Sequence, residues 1–266
     1  MSDRRLKACI IALGFVLTLP AAAASKEEER VADAADVLDQ FLRIPEKSIP
    51  PTLLARAYAV AVIPNVIKIG LGVGVRRGKG IIVIRQDNHT WSNPAFIKIT
   101  GGSFGWQAGV QSADIILVFK SRKGVGDITN GKLTLGANAS IAAGPVGRHT
   151  EVATDWEFKA EVVSYARTRG LFVGISLEGT GVTMDRKANV AFYGSATMTP
   201  EKIFASSPNI APNIANTFVQ TLTAQTRRLP TSPGMQINPI ASPITATDNP
   251  SAVRTYGLPS SGSQNR

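Results

Sequence analysis

From Val66 to Arg76 the chain alternates strictly, with Ile67, Ile69, Leu71, Val73 and Val75 on one parity and Lys68, Gly70, Gly72, Gly74 and Arg76 on the other. A period of two is the signature of an extended strand, whose successive side chains point to opposite faces. Glycine occupies most of the second face, so another backbone or a helix can approach it closely. This stretch therefore commits its part of the chain to a sheet packed against something on a slim face. Arg77-Gly78-Lys79-Gly80 reads as a turn and Ile81–Ile84 as a return strand, predicting a hairpin.

The strand pattern continues beyond it. Asp87-Asn88-His89 reads as a loop, and Phe96–Ile99 and Gly105–Gln111 as strands. Ile115–Phe119 is a continuous apolar run, which suits a central strand buried on both faces. Gly131–Leu135 and Ala137–Ala143 extend the pattern, and Glu161–Arg167 and Gly170–Leu177 form a pair around Thr168-Arg169-Gly170. Helices are expected at the ends. Val31, Ala34, Ala35, Leu38, Phe41 and Leu42 make one stripe along Lys26–Arg43. A second helix is predicted from Pro50-Pro51 through Ala61, stopped by Pro64. Pro200–Ala205 and Ile214–Arg228 complete the set. The fold class is α+β: a twisted, mainly antiparallel sheet, sandwich- or barrel-like, with N-terminal helices and a C-terminal helix.

Three segments follow from composition. Arg4, Arg5 and Lys7 precede the apolar run Ala8–Leu19, which is shorter than the ~20 residues needed to span a bilayer. Ala22 and Ala24 fit an A-x-A cleavage site, so residues 1–24 read as a cleavable signal peptide of an exported, periplasmic or secreted protein. Residues 25–229 form one domain, roughly 200 residues and large enough for its own core. Residues 230–266 are rich in Pro, Ser, Thr and Asn and are expected to be a disordered tail. The lone Cys9 lies inside the signal, so no disulfide, cysteine nucleophile or zinc–thiolate site is expected in the mature chain.

Two motifs invite catalytic readings and both fail on context. Gly101-Gly102-Ser103-Phe104-Gly105 spells G-x-S-x-G, but a nucleophile elbow needs a helix after the serine, and the glycines that follow oppose one. His149, with Asp114 or Asp127, is the one triad the chain could supply. Gly126–Leu133 nearly spells a P-loop, with Leu133 where the Mg²⁺-holding Ser/Thr belongs, and reads as a turn into a strand. Asp33, Asp36 and Asp39 are spaced as a solvated helix face. No metal, cofactor or catalytic residue is predicted.

The formal charge of +10 points to an acidic partner. Nucleic acid is disfavoured by the 6% aromatic content and the absence of a recognised motif. The cations cluster as Arg76, Arg77 and Lys79; as Lys120, Arg122 and Lys123; and as Arg167 and Arg169. Near an anionic surface each contributes about 1 kcal/mol.

Ile99–Gln111, Gly136–Arg148, Ser164–Leu177 and Asn189–Gly194 together resemble the SYLF family of lipid-binding domains, over a span from about Val31 to Arg228. The segments Ser164-Tyr165 with Arg169-Gly170-Leu171-Phe172 and Ala142–Arg148 carry the resemblance most specifically. Eukaryotic relatives bind phosphoinositides and other acidic phospholipids, and a yeast relative binds actin; this chain looks like a bacterial, exported branch. The resemblance implies non-enzymatic binding of anionic phospholipid head groups, with the three basic clusters as the lipid-binding candidates. Two alternatives stay open: an envelope scaffold that binds protein, and a serine lipid hydrolase using Ser103.

Overall fold

The computed structural model describes residues 24–43, 49–144, 159–168, 171–172, 175–207 and 210–227. Helix α1 (Lys26–Leu42) starts at a capping box. Ser25 Oγ accepts from the Glu28 amide at 3.1 Å, and Glu28 returns its carboxylate to the Ser25 amide at 2.9 Å. Glu27, Glu28 and Glu29 place negative charge at the positive end of the helix dipole. The apolar stripe is buried through Val31, Ala34, Val37, Leu38 and Phe41.

Helix α2 (Pro51–Arg56) is shorter than the sequence suggests. Strand β1 (Ala59–Ile84) begins at Ala59, so Ala59 and Ala61 belong to the sheet. Arg85 closes the helix, its guanidinium donating to the carbonyls of Ala57 at 2.9 Å and Leu54 at 2.8 Å.

The expected hairpin turn at Arg77–Gly80 is also corrected. β1 runs unbroken through it and pairs along nearly its whole length with β2 (Ala95–Phe119), the connection lying at Arg85–Pro94. The chain does reverse, but elsewhere. A Cβ on Gly70 would lie 2.6 Å from Gly74 Cα, so β1 doubles back between those glycines. The β1–β2 register breaks at the same level, from Gly70↔Gly109 to Gly72↔Gly105. Beyond the break the two halves of β1 lie side by side. A Cβ on Gly78 would meet Val66 Cγ2 at 2.7 Å, and one on Gly80 would strike the Val62 carbonyl. The slim glycine face read from the sequence is thus where the ribbon folds against itself.

The remaining elements extend this doubled ribbon. They are α3 (Arg122–Asn130), β3 (Leu133–Thr134), β4 (Ile141–Ala143), β5 (Val162–Thr168), β6 (Leu171–Phe172), β7 (Gly181–Met184), α4 (Arg186–Tyr193), α5 (Pro200–Ala205) and α6 (Asn213–Arg227). The seven strands form one sheet in the order β3-β7-β2-β5-β4, with β1 on β2 and β6 on β5. All pairs are antiparallel except β4–β5. Ile115–Phe119 lies between β1 and β5, buried on both faces as its apolar run requires.

Each face carries a core. On one, Val60, Val62, Ile81, Val83, Phe96 and Ile116 pack under α1, α2, α4 and α6. On the other, Ile63, Ile82, Ile97, Ile99 and Ile115 pack with α3 and α5. We call these the α1 face and the α3 face. Helix α3 was not expected, since Gly124 and Gly126 depress helix propensity. Burial of Val125 and Ile128 against the α3-face core outweighs that cost. The same helix absorbs Gly126–Asn130, where the near-P-loop was read as a turn.

Candidate functional site

The helices cover only the base of the α1 face. Toward the fold-back, the same side of the ribbon bears Ile67, Ile69, Val73 and Val75 from β1 and Val110 from β2, all 44–70% exposed. Ile69 and Val110 are directly paired across the ribbon. Because β1 doubles back, Ile67 and Ile69 on one arm and Val73 and Val75 on the other form a bare aliphatic tip. These are the residues whose alternation was legible from the sequence; the side they present to solvent was not.

Below the tip, on the same face, stand cations. Arg77 pairs with Thr100, and Lys79 lies directly opposite Lys98. All three cations are exposed. Like charges facing each other across a ladder are destabilising on their own. They line a groove of about 530 Å³ closed on its far side by Lys26, Glu29, Arg30 and Asp33 of α1. Five cations thus face two carboxylates. Arg30 is held in place by Asp185 at 3.6 Å and by the Phe96 ring at 5.3 Å. Burial, with Asp36, Glu29 and Asp114 nearby, pushes the Asp33 carboxyl above the ordinary carboxylate range. Lys26 and Lys98 were missed as site residues because the first lies at the start of the amphipathic helix and the second was read only as a strand residue. Only the β1–β2 register places them beside Lys79.

The three sequence clusters do not converge. Arg76 points to the α3 face, is 6% exposed, and donates to Thr180 Oγ1 at 3.2 Å. Arg122 and Lys123 lie in the first turn of α3, past the end of β2, while Ala59, which pairs with that end, is on the order of 25 Å along β1 from Ile67. Arg122 sits over the Tyr58 ring at 5.5 Å, and Lys123 reaches Glu161 at 3.5 Å. Lys120 is half-buried, its backbone amide donating to the Glu161 carbonyl. Arg167 is a structural tie: it reaches Asp114 at 3.4 Å and Gln40, and covers the Phe41 ring at 5.4 Å. Arg169 lies outside the described residues.

Ser103 sits within β2, paired with Gly74, with no strand-to-helix elbow. His89 is in the β1–β2 loop, on the order of 25 Å of strand away from Ser103. His149 lies outside the described residues. Among the described residues no three His, Cys, Asp or Glu side chains gather to hold a metal ion, and no helix is long and apolar enough to cross a membrane.

Residues 100–225 match the family described as "Ysc84: Las17-binding protein actin regulator". The chain belongs to the Ysc84, or SYLF, family. The SYLF sequence is 38% identical over 175 residues to the SH3 domain-containing YSC84-like protein 1 of Xenopus laevis, covering 64% of this chain and 51% of that protein. It is 35% identical over 187 residues to Protein YSC84 of Saccharomyces cerevisiae, covering 67% of this chain and 40% of the yeast protein. LAS seventeen-binding protein 3 of the same species is 35% identical over 169 residues, covering 60% of this chain and 37% of that protein. The chain therefore spans about half the length, or less, of these curated relatives. Binding is named in the family's description and in the name of LAS seventeen-binding protein 3, and regulation in the family's description alone. The family match begins within β2 at Thr100, so it includes Val110 of the tip, while Ile67, Ile69, Val73, Val75, Arg77, Lys79 and Lys98 precede it.

Proposed function

We propose that this SYLF domain binds the surface of membranes rich in anionic phospholipid, without covalent chemistry. One observation carries the reading: a bare aliphatic tip and the Arg77–Lys79–Lys98 cluster share one face of one ribbon. Such a face suits an interface that is apolar inside and negatively charged at its surface. Aliphatic side chains at the tip would enter the acyl boundary, and the cations one or two register steps below would meet phosphate. The basic clusters on α3 and β5 are not needed for this geometry.

The export reading fits the helix start. Cleavage after Ala24 leaves Ser25 as the first residue, with both capping-box bonds intact. On this reading the protein works in the periplasm or outside the cell, and N-terminal sequencing of the secreted form should begin at Ser25.

Vesicle flotation tests the lipid reading. The full chain should float with phosphatidylglycerol vesicles at low salt and not with phosphatidylcholine vesicles. Arg77→Glu with Lys79→Glu should weaken recovery at least thirtyfold, taking about 1 kcal/mol per lost cation. Equal recovery on both vesicle types would end the lipid reading. The family's printed description as Las17-binding favours a second reading, in which the same bare face docks a protein; capture of one defined partner that survives detergent and is lost in the Arg77/Lys79 variant would select it.

A further inference from the structure

The near-P-loop stretch Gly126–Leu133 contains Asn130-Gly131, the one Asn-Gly pair in the chain. Neither residue lines the basic groove or belongs to a core. The carboxamide carbon of any asparagine stands one ring closure away from the backbone nitrogen of the next residue. A side chain on that next residue crowds the approach, and glycine, with no Cβ, leaves it clear.

The fold leaves this pair untied. Asn130 is the last residue of α3, and Gly131 is its C-cap, with φ 157° and ψ −80°. Both are exposed. The caps of α1, α2 and α5 each return their amide to a carbonyl of their own helix, and the Gly131 amide does not. Among the described residues no hydrogen bond reaches the Asn130 carboxamide, the Asn130 carbonyl or the Gly131 amide. Other asparagines are held. Asn88 accepts from the Thr90 amide, Asn138 accepts from the Thr134 amide, and buried Asn93 and Asn189 are bonded to backbone. Turning the Asn130 ψ therefore swings a helix-terminal peptide group that nothing restrains. Gly131 absorbs the turn, because the space where its side chain would stand is open. Leu133, buried and paired with Val182, anchors the chain beyond it and keeps the movement local.

We propose that Asn130 is a self-modification site, at which the chain deamidates without an enzyme. The Gly131 nitrogen attacks Asn130 Cγ and closes a succinimide ring. The Cγ–Nδ2 bond breaks, and the Gly131 amide proton leaves with Nδ2 as ammonia. Water then opens the ring at either carbonyl, and no oxidant or reductant is needed. One opening gives an aspartyl residue at position 130; the other gives an isoaspartyl residue, whose backbone runs through Cβ and Cγ. Either way a carboxylate appears at the C-terminus of α3, where the helix dipole disfavours negative charge. The isoaspartyl form also lengthens the link from α3 to β3. The proposal is independent of the membrane reading.

The purified full chain is held at physiological temperature and mildly alkaline pH, and the peptide around each asparagine is followed by chromatography and mass spectrometry. The Asn130 peptide should convert to two products of equal mass, each heavier by the exchange of –NH2 for –OH, ahead of the Asn88 and Asn138 peptides. Conversion in the folded chain should run within about tenfold of that in urea, the fold-change set by a local opening cost of about 1.4 kcal/mol. A larger suppression shows that α3 holds its last turn closed and overturns the proposal. Gly131→Ala should slow conversion, and its rate in urea gives that comparison even if the variant does not fold. An equal rate in wild type and Gly131→Ala overturns attack by this nitrogen. A single aspartyl product, with no isoaspartyl form, overturns the succinimide route.

Discussion

Asp33 is the residue that works against the cations around it. It lines the groove beside Lys26 and Arg30, and its carboxyl is pushed up first by burial and then by Asp36, Glu29 and Asp114. A carboxyl whose folded pKa lies above its unfolded value favours folding when protonated. Its ionised form lowers stability at neutral pH, and the penalty fades as pH falls through the raised value toward the ordinary carboxylate range. Asp33→Asn should therefore raise Tm by about 1–2 °C at pH 7, because a largely exposed group contributes little, and by nothing near pH 3. The same change removes one negative charge from the groove. Recovery on phosphatidylglycerol vesicles should rise about fivefold at low salt. A Tm gain that persists unchanged at pH 3 would show that the side chain acts through packing and not through its charge.

At the scale of elements, glycine decides where the ribbon bends. The sequence shows a run of alternating aliphatics with a slim opposite face, and that much is correct. What it does not show is which glycines take the close approach. Gly78 and Gly80 looked like turn residues because they flank Lys79, yet each lies in continuous strand where the other half of β1 presses in. Long-range contact, not local turn chemistry, explains them. Helix α2 was overread for a related reason: Ala57, Tyr58 and Ala61 suit a helix locally, but the Ala59–Phe119 pairing draws them into the sheet. The glycine positions make a graded prediction. Gly80→Ala places its Cβ against the Val62 carbonyl and within 2.8 Å of Ile63 Cα, backbone that cannot yield cheaply. It should destabilise by about 3 kcal/mol or more, as overpacked cores do. Gly102→Ala, in the same ribbon with open space around it, should stay within about 0.5 kcal/mol of wild type. Urea unfolding of both variants checks the contrast, and similar losses at the two positions would mean that the halves of β1 are not in contact.

For the molecule as a whole, the legible part of the site was its chemistry and the illegible part its assembly. Basic residues near one glycine-rich strand pair were visible in the sequence, and Arg77 and Lys79 do stand together. Arg76, one residue earlier, faces the other way because side chains alternate along a strand. Lys98 joins the cluster through a pairing partner nineteen residues distant along the chain, Lys79. The aliphatic tip emerges only once the helices are seen to cover the base and not the end. These two halves of the face should respond differently to salt. The cationic share of vesicle binding is screened over a Debye length of about 8 Å at physiological ionic strength, whereas apolar insertion is not. Val73→Ser with Val110→Ser removes two exposed methyl-rich side chains that support no core contact, so Tm should hold within about 2 °C. Vesicle recovery should nevertheless fall about tenfold at low salt, and by the same factor or more at high salt. The Arg77/Lys79 reversal should show the opposite trend, its deficit shrinking as salt rises. If both variants lose affinity in parallel across the salt series, tip and cations do not make separate contributions, and insertion of the tip is wrong.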